Sequence, residues 1–101
     1  MDYIKQNFET ILTGEVQGGT TAAQMPDIPC AMIKIKALGT NTGMVYIGVE
    51  GVTGVGTATS TTMGFELDAL EETGWLPINN LNKLWMITDN NADDVCYIAL
   101  R

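Results

Sequence analysis

Apolar and polar positions alternate with period two along most of the chain, the signature of strands with one buried and one wet face. In Ala31-Met32-Ile33-Lys34-Ile35-Lys36-Ala37-Leu38 the odd positions are apolar while Lys34 and Lys36 point the other way. Met44-Val45-Tyr46-Ile47-Gly48-Val49-Glu50 repeats the device with Val45, Ile47 and Val49 inward. Between the two runs, Gly39-Thr40-Asn41-Thr42-Gly43 carries turn residues, so an antiparallel hairpin is expected there. A second hairpin is expected where Leu84-Trp85-Met86-Ile87-Thr88 and Val95-Cys96-Tyr97-Ile98-Ala99-Leu100 are joined by Asp89-Asn90-Asn91-Ala92-Asp93-Asp94.

Weaker patterns fill the remainder. Residues 8–16 place Phe8, Leu12 and Val16 on one face, and Gly14 hints at a bulge. Residues 20–25 read as a short edge strand closed by Pro26 and Pro29, which cannot donate to a central ladder. Phe65-Glu66-Leu67-Asp68-Ala69 alternates, and Gly74-Trp75-Leu76-Pro77-Ile78 reads as another edge strand, with residues 67–73 as one helical turn in the competing reading. No long helix is expected. Residues 51–64 form a Gly/Thr-rich loop, long for a compact domain, and are expected to be mobile or ordered by a partner. Seven or eight short strands with turn signals about every 8–12 residues fit an antiparallel sandwich or small barrel. The fold expected is all-β: an antiparallel β-sandwich, jelly-roll or immunoglobulin-like. With 101 residues, one domain over 8–101 follows an N-terminal arm at 1–7.

Composition narrows the function. Twelve acidic residues against five basic ones give a net charge of −7, the wrong sign for binding nucleic acid through a basic patch. The chain has no His, which removes imidazole bases, Ser-His-Asp and Cys-His pairs and His-containing zinc sites. The first nine residues lack a basic start followed by an apolar stretch, so no signal peptide is expected, and no window approaches the roughly 20 apolar residues of a membrane span. No membrane partner is expected either. Cys30 and Cys96 lie in apolar runs without Cys-x-x-Cys spacing. They are expected as two reduced, buried thiols, with a bridge or a reactive thiol as the alternatives.

Three patterns invite a chemical reading, and each has a plainer one. Asp89-Asn90-Asn91-Ala92-Asp93 matches the first half of a calcium loop. Asp94 stands where such a loop has Gly and Leu100 where it has the bidentate Glu, so a hairpin turn is expected instead. Asp68, Glu71 and Glu72 supply carboxylates, but residues of one segment cannot flank a substrate from opposite sides, and a solvated acidic face is expected. Gly51, Gly54 and Gly56 lack the Lys-Ser/Thr and the helix of a phosphate loop. No cofactor, metal or catalytic residue is therefore assigned. Trp75 and Trp85 are candidates for the core, for a subunit interface or for ligand stacking, and Tyr46 and Met63 join them as candidate interface residues.

The order of segments Ile28-Pro29-Cys30, Ile33-Lys34-Ile35-Lys36-Ala37-Leu38, Thr40-Asn41-Thr42-Gly43, Val45-Tyr46-Ile47-Gly48-Val49, Gly64-Phe65-Glu66-Leu67, Asn80-Leu81-Asn82-Lys83-Leu84-Trp85 and Val95-Cys96-Tyr97-Ile98 resembles small β-sandwich virion proteins of tailed bacteriophages. These serve as capsid decoration (cement) proteins or as head and neck fittings. The resemblance covers about residues 8–100 and its motifs are structural; residues 69–77 depart from it, where a shorter turn is expected. It implies a non-enzymatic protein of the virion, assembled in the host cytoplasm. Such a protein would bind the major capsid protein or other virion proteins, reinforce the head and form a symmetric homo-oligomer. On that basis residues 1–7 and 51–63 are expected to touch neighbours. The alternative is a head-fibre, neck or tail-associated carbohydrate- or receptor-binding module, which needs Trp75, Trp85 or Tyr46 exposed and lined up on one face.

Overall fold

The computed structural model describes residues 8–54 and 60–101; the arm at 1–7 and the loop tip at 55–59 lie outside the described residues. β1 (Ile11–Gln17), β7 (Asp94–Leu100) and β3 (Met32–Ala37) form one sheet in the order β1-β7-β3. β2 (Ala23–Gln24), β6 (Trp85–Thr88), β4 (Val45–Gly48) and β5 (Phe65–Leu67) form the other in the order β2-β6-β4-β5. Every strand pair is antiparallel, and the expected β-sandwich is what the chain forms. Helix among the described residues is a single 3-10 turn at Leu81–Lys83, whose Asn80 side chain accepts the Asn82 N–H.

Parity decides the core. In the three-stranded sheet the rows Leu12–Ala99–Ile33, Gly14–Tyr97–Ile35 and Val16–Val95–Ala37 face inward. Against them pack Val45, Ile47, Leu67 and Met86 of the second sheet, with Met25 and Leu81 closing the ends. Ile33, Ile35, Val45, Leu81 and Val95 are fully buried, each large side chain contributing about 1.5–3 kcal/mol by leaving water. The one-to-one register of β1 and β7 leaves no bulge at Gly14. Gly14 is small because the Tyr97 ring lies over it: a Cβ there would come within 2.6 Å of the hydroxyl.

Both expected hairpins are corrected. β3 and β4 lie in opposite sheets, and so do β6 and β7, so residues 38–44 and 89–93 are arches across the sandwich. A hairpin would put the apolar rows of both strands in the same sheet, side by side. The arch turns Ile33 and Ile35 toward Val45 and Ile47 instead. The two arches bond each other: Asp93, only 2% exposed, accepts the N–H of Thr42 at 3.0 Å and of Gly43 at 2.9 Å, one on each carboxylate oxygen. Asn41 donates its amide to the Asp94 carbonyl at 2.8 Å and accepts the Asp94 N–H at 2.9 Å. Asp89 accepts the Met44 N–H at 2.9 Å, and Asn90 donates to Thr42 and Asp93. On its other flank the same segment holds the exit of β1, because Asp94 and Asn91 accept the N–H groups of Gly18 and Thr20.

The expected strand at 74–78 is an irregular extended stretch that dresses the outer edge of β3. Ile33 and Leu76 exchange N–H···O bonds of 3.0 and 2.7 Å, Thr73 accepts the Ile35 N–H on its hydroxyl, and the Ala37 N–H reaches the Glu71 carbonyl. No helical turn forms at 67–73, where Leu70 adopts a positive φ of 72°. The two thiols are free. Both were expected to be buried and both are only partly so: Cys30 packs against the core and donates to the Ile78 carbonyl, and Cys96 lies on the outer face of its sheet, between Glu15 and Lys36 in register.

Burial alone would raise the Asp93 pKa, but the amides of Thr42 and Gly43 and the side chains of Asn90 and Thr42 hold it below the ordinary carboxylate value. A depressed folded pKa gives stability that is complete above the unfolded value near 3.9 and is lost as pH falls through the folded one. Asp93→Asn, which sets an amide N–H against a backbone N–H, is expected to cost about 2–3 kcal/mol in urea unfolding at pH 7. The same variant should lose part of the acid slope below about pH 4. Gly18→Ala is expected to cost about 2 kcal/mol in the same assay, because its Cβ would run into the Asp93 carbonyl oxygen.

Candidate interface

Tyr46 projects from the outer face of the four-stranded sheet, between Ile87 of β6 and Glu66 of β5. Both described ends of the Gly/Thr-rich loop fold over it. Gly51, at φ 80°, turns the chain back after β4, and Val52 tucks in at 2% exposure. Thr53 then bonds the returning chain, its N–H to the Thr62 carbonyl at 2.8 Å and its carbonyl to the Gly64 N–H at 2.9 Å. The glycines let this backbone lie flat on the ring: a Cβ on Gly54 or Gly64 would come within 2.7 Å of Tyr46 atoms. The described ends of the loop are fastened to their own sheet through Thr53, Thr62 and Gly64, while the tip at 55–59, also expected to be mobile or partner-ordered, lies outside the described residues.

Tyr46 is therefore 5% exposed and closed to any partner or stacking sugar, which corrects its place among the interface candidates. Burial, then the carboxylates of Asp89 and Glu66, push its phenol above the usual value. Trp85 lies half-buried on the same outer face, opposite Gly48 and Gln24. Trp75 belongs to the flank of the other sheet, 41% exposed, with the Lys34 ammonium 4.8 Å from its ring centroid and Glu72 3.1 Å from the same nitrogen. The three aromatics do not line up on one face. Met63, 38% exposed, stands where the loop rejoins β5.

Met63 has two exposed neighbours that the sequence reading missed. Val49 and Phe65 are 60% and 63% exposed; Val49 directly follows β4, and Phe65 opens β5 two residues after Met63. Phe65 also forms one wall of an apolar cleft of about 250 Å³ between the sheets, shared with Ile47, Thr73, Leu76 and Leu84. Phe65, opposite Ile47 in register, belongs by parity to the inward row of Ile47 and Leu67, whereas Val49, expected inward, lies past the end of β4 and is exposed. What alternation cannot report is that this row runs past the cover of the opposing sheet. The available signal was position: an aromatic opening a short edge strand directly after a long loop.

The acidic candidates have structural partners. Glu71 accepts the Asp68 N–H at 2.7 Å, Asp68 accepts that of Ala69, and Glu72 pairs with Lys34. In the calcium-like segment Asp89, Asn91 and Asp93 turn their oxygens to backbone amides of two other stretches, Thr42-Gly43-Met44 and Thr20. Among the described residues no group of three or more His, Cys, Asp or Glu is arranged to hold a metal ion.

Val52→Ala is expected to cost about 2 kcal/mol and to raise the rate of proteolytic nicking within 49–64, since the buried Val52 packs against Gly48 and Gly64; mass spectrometry of the fragments reads the second effect. No protein-family model, curated protein or solved structure matches the chain, so its own geometry carries the functional reading.

Proposed function

We propose that the chain is a non-enzymatic structural protein of a tailed-phage virion, a decoration protein that binds the assembled head through the loop end of its four-stranded sheet. The observation that carries this reading is the exposure of Val49, Met63 and Phe65 at the loop ends of β4 and β5, with Phe65 lining an apolar cleft, in a chain of net charge −7. Contiguous apolar surface on a soluble domain marks a protein contact. The charge keeps free copies apart until they meet a surface that covers the patch. The resemblance to decoration proteins supplies the partner, the major capsid protein or another virion protein. Trp75, on the flank of the three-stranded sheet, and Trp85, on the outer face of the four-stranded one, do not form the aligned platform that the carbohydrate-binding alternative needs.

Purified particles provide the test. Copy number by quantitative mass spectrometry is expected in the hundreds, as a head lattice requires; about a dozen or fewer would move the protein to the neck or tail. Phe65→Asp is expected to lower occupancy at least tenfold, as loss of a central aromatic contact does. Its melting temperature should hold, because the side chain is mostly solvated. Full occupancy by that variant would rule out this docking end.

A further inference from the structure

The two sheets treat their edges differently. The outer edge of β3 is bonded by residues 71–76, β2 has two residues and runs into Pro26, and β5 has three. β1 has seven residues, about 24 Å of strand, and among the described residues it pairs only with β7. Thr10 and Arg101 exchange N–H···O bonds of 2.7 and 3.0 Å, so alternation turns the main-chain groups of Leu12, Gly14 and Val16 toward β7. Those of Ile11, Thr13, Glu15 and Gln17 point away from the sheet, and no described residue bonds to them. Natural edges of this length are blunted by Pro, by Lys or by cover. β1, Ile-Leu-Thr-Gly-Glu-Val-Gln, has no Pro or basic residue, and its Ile11 is 66% exposed.

The geometry points to a second copy of this chain as the partner of that edge, paired antiparallel across a two-fold axis at Gly14. In this register Ile11 lies opposite Gln17 and Thr13 opposite Glu15, and the outward main-chain groups of both copies form about eight hydrogen bonds. The one charge on the strand faces a threonine. On the inner face Leu12 meets Val16 of the other copy; both are half-buried at the margin of the core, and the pairing carries the core across the seam. Sliding two residues one way sets Glu15 against its own copy, and sliding the other way replaces the Leu12–Val16 contact with Leu12–Gly14. The strand is self-complementary in one register, which is what an isologous interface needs and what an unrelated strand has no reason to match. This dimer is independent of the capsid reading, since it forms in solution without particles.

Sedimentation equilibrium on the full chain and two variants tests it. The wild type is expected to form a reversible dimer below ~1 mM. Thr13→Glu, which sets a second carboxylate opposite Glu15 of the other copy, should weaken the dimer at least tenfold, and Thr13→Lys should keep or tighten it. Thr13 is exposed, so both variants should fold, as far-UV circular dichroism would verify. A wild type that stays monomeric to ~1 mM overturns the proposal. So does a Thr13→Glu dimer as tight as the wild type, or a Thr13→Lys dimer as weak as Thr13→Glu.

Discussion

The sandwich hangs on one buried carboxylate. Taking a charge such as that of Asp93 out of water costs several kcal/mol unless its oxygens are fully engaged, and here the Asn90 side chain and two backbone amides engage them. Those amides belong to Thr42 and Gly43, in the arch that carries the chain from one sheet to the other. A single side chain thus fixes where β3 leaves the first sheet and where β4 enters the second. Asn41 and Asp94, bonded to each other in both directions, set the same crossing one residue away. Gly18, pressed against the Asp93 carbonyl and bonded to the Asp94 side chain, ties the end of β1 to the same point. Three connections between sheets converge on six residues, and the apolar faces meet because those six hold them opposite one another.

That convergence explains which parts of the fold were legible in the sequence. The inward row of each strand follows from local alternation, and Ile33, Ile35, Val45, Ile47 and Met86 all face as the pattern requires. Pairing does not follow, because Asn, Asp and Gly suit an arch as well as they suit a hairpin turn. The difference lies in what the side chains bond, and the partners of Asp93 are about fifty residues away. A second kind of information was hidden in the loop of residues 51–64. Glycine there reads as freedom, yet Gly54 and Gly64 are flat so that backbone can rest on Tyr46, which turned an expected platform into a buried ring. Phe65 is the converse: the right parity, but at a position the opposing sheet does not reach.

The connection between β5 and β6 accounts for the asymmetry of the edges. It has to return from the margin of one sheet to the middle of the same sheet, and it does so along β3, filling that strand's open bonds with Leu76, Thr73 and Glu71 on the way. Lys34 fastens it from outside, held between Glu72 and the Trp75 ring. Nothing in the described chain performs that service for β1, which has no connection passing beside it. Covering one margin with chain leaves the other margin to whatever meets it from solution.

The apolar end and the bare edge consequently lie on opposite margins of the sandwich. Phe65 sits over the cleft that Leu76 and Thr73 line, on the β3 and β5 side, whereas β1 and β2 form the far side. Two copies joined through β1 therefore carry their Phe65 ends pointing away from the seam, one at each extremity. A contact of a few apolar side chains is weak alone, and the acidic charge of each copy weakens it further. Two such contacts on one rigid dimer act at a high effective concentration wherever a surface repeats at the right spacing, and a lattice repeats by construction. On the two proposed readings, the self-pairing edge would supply the valency that the docking end needs.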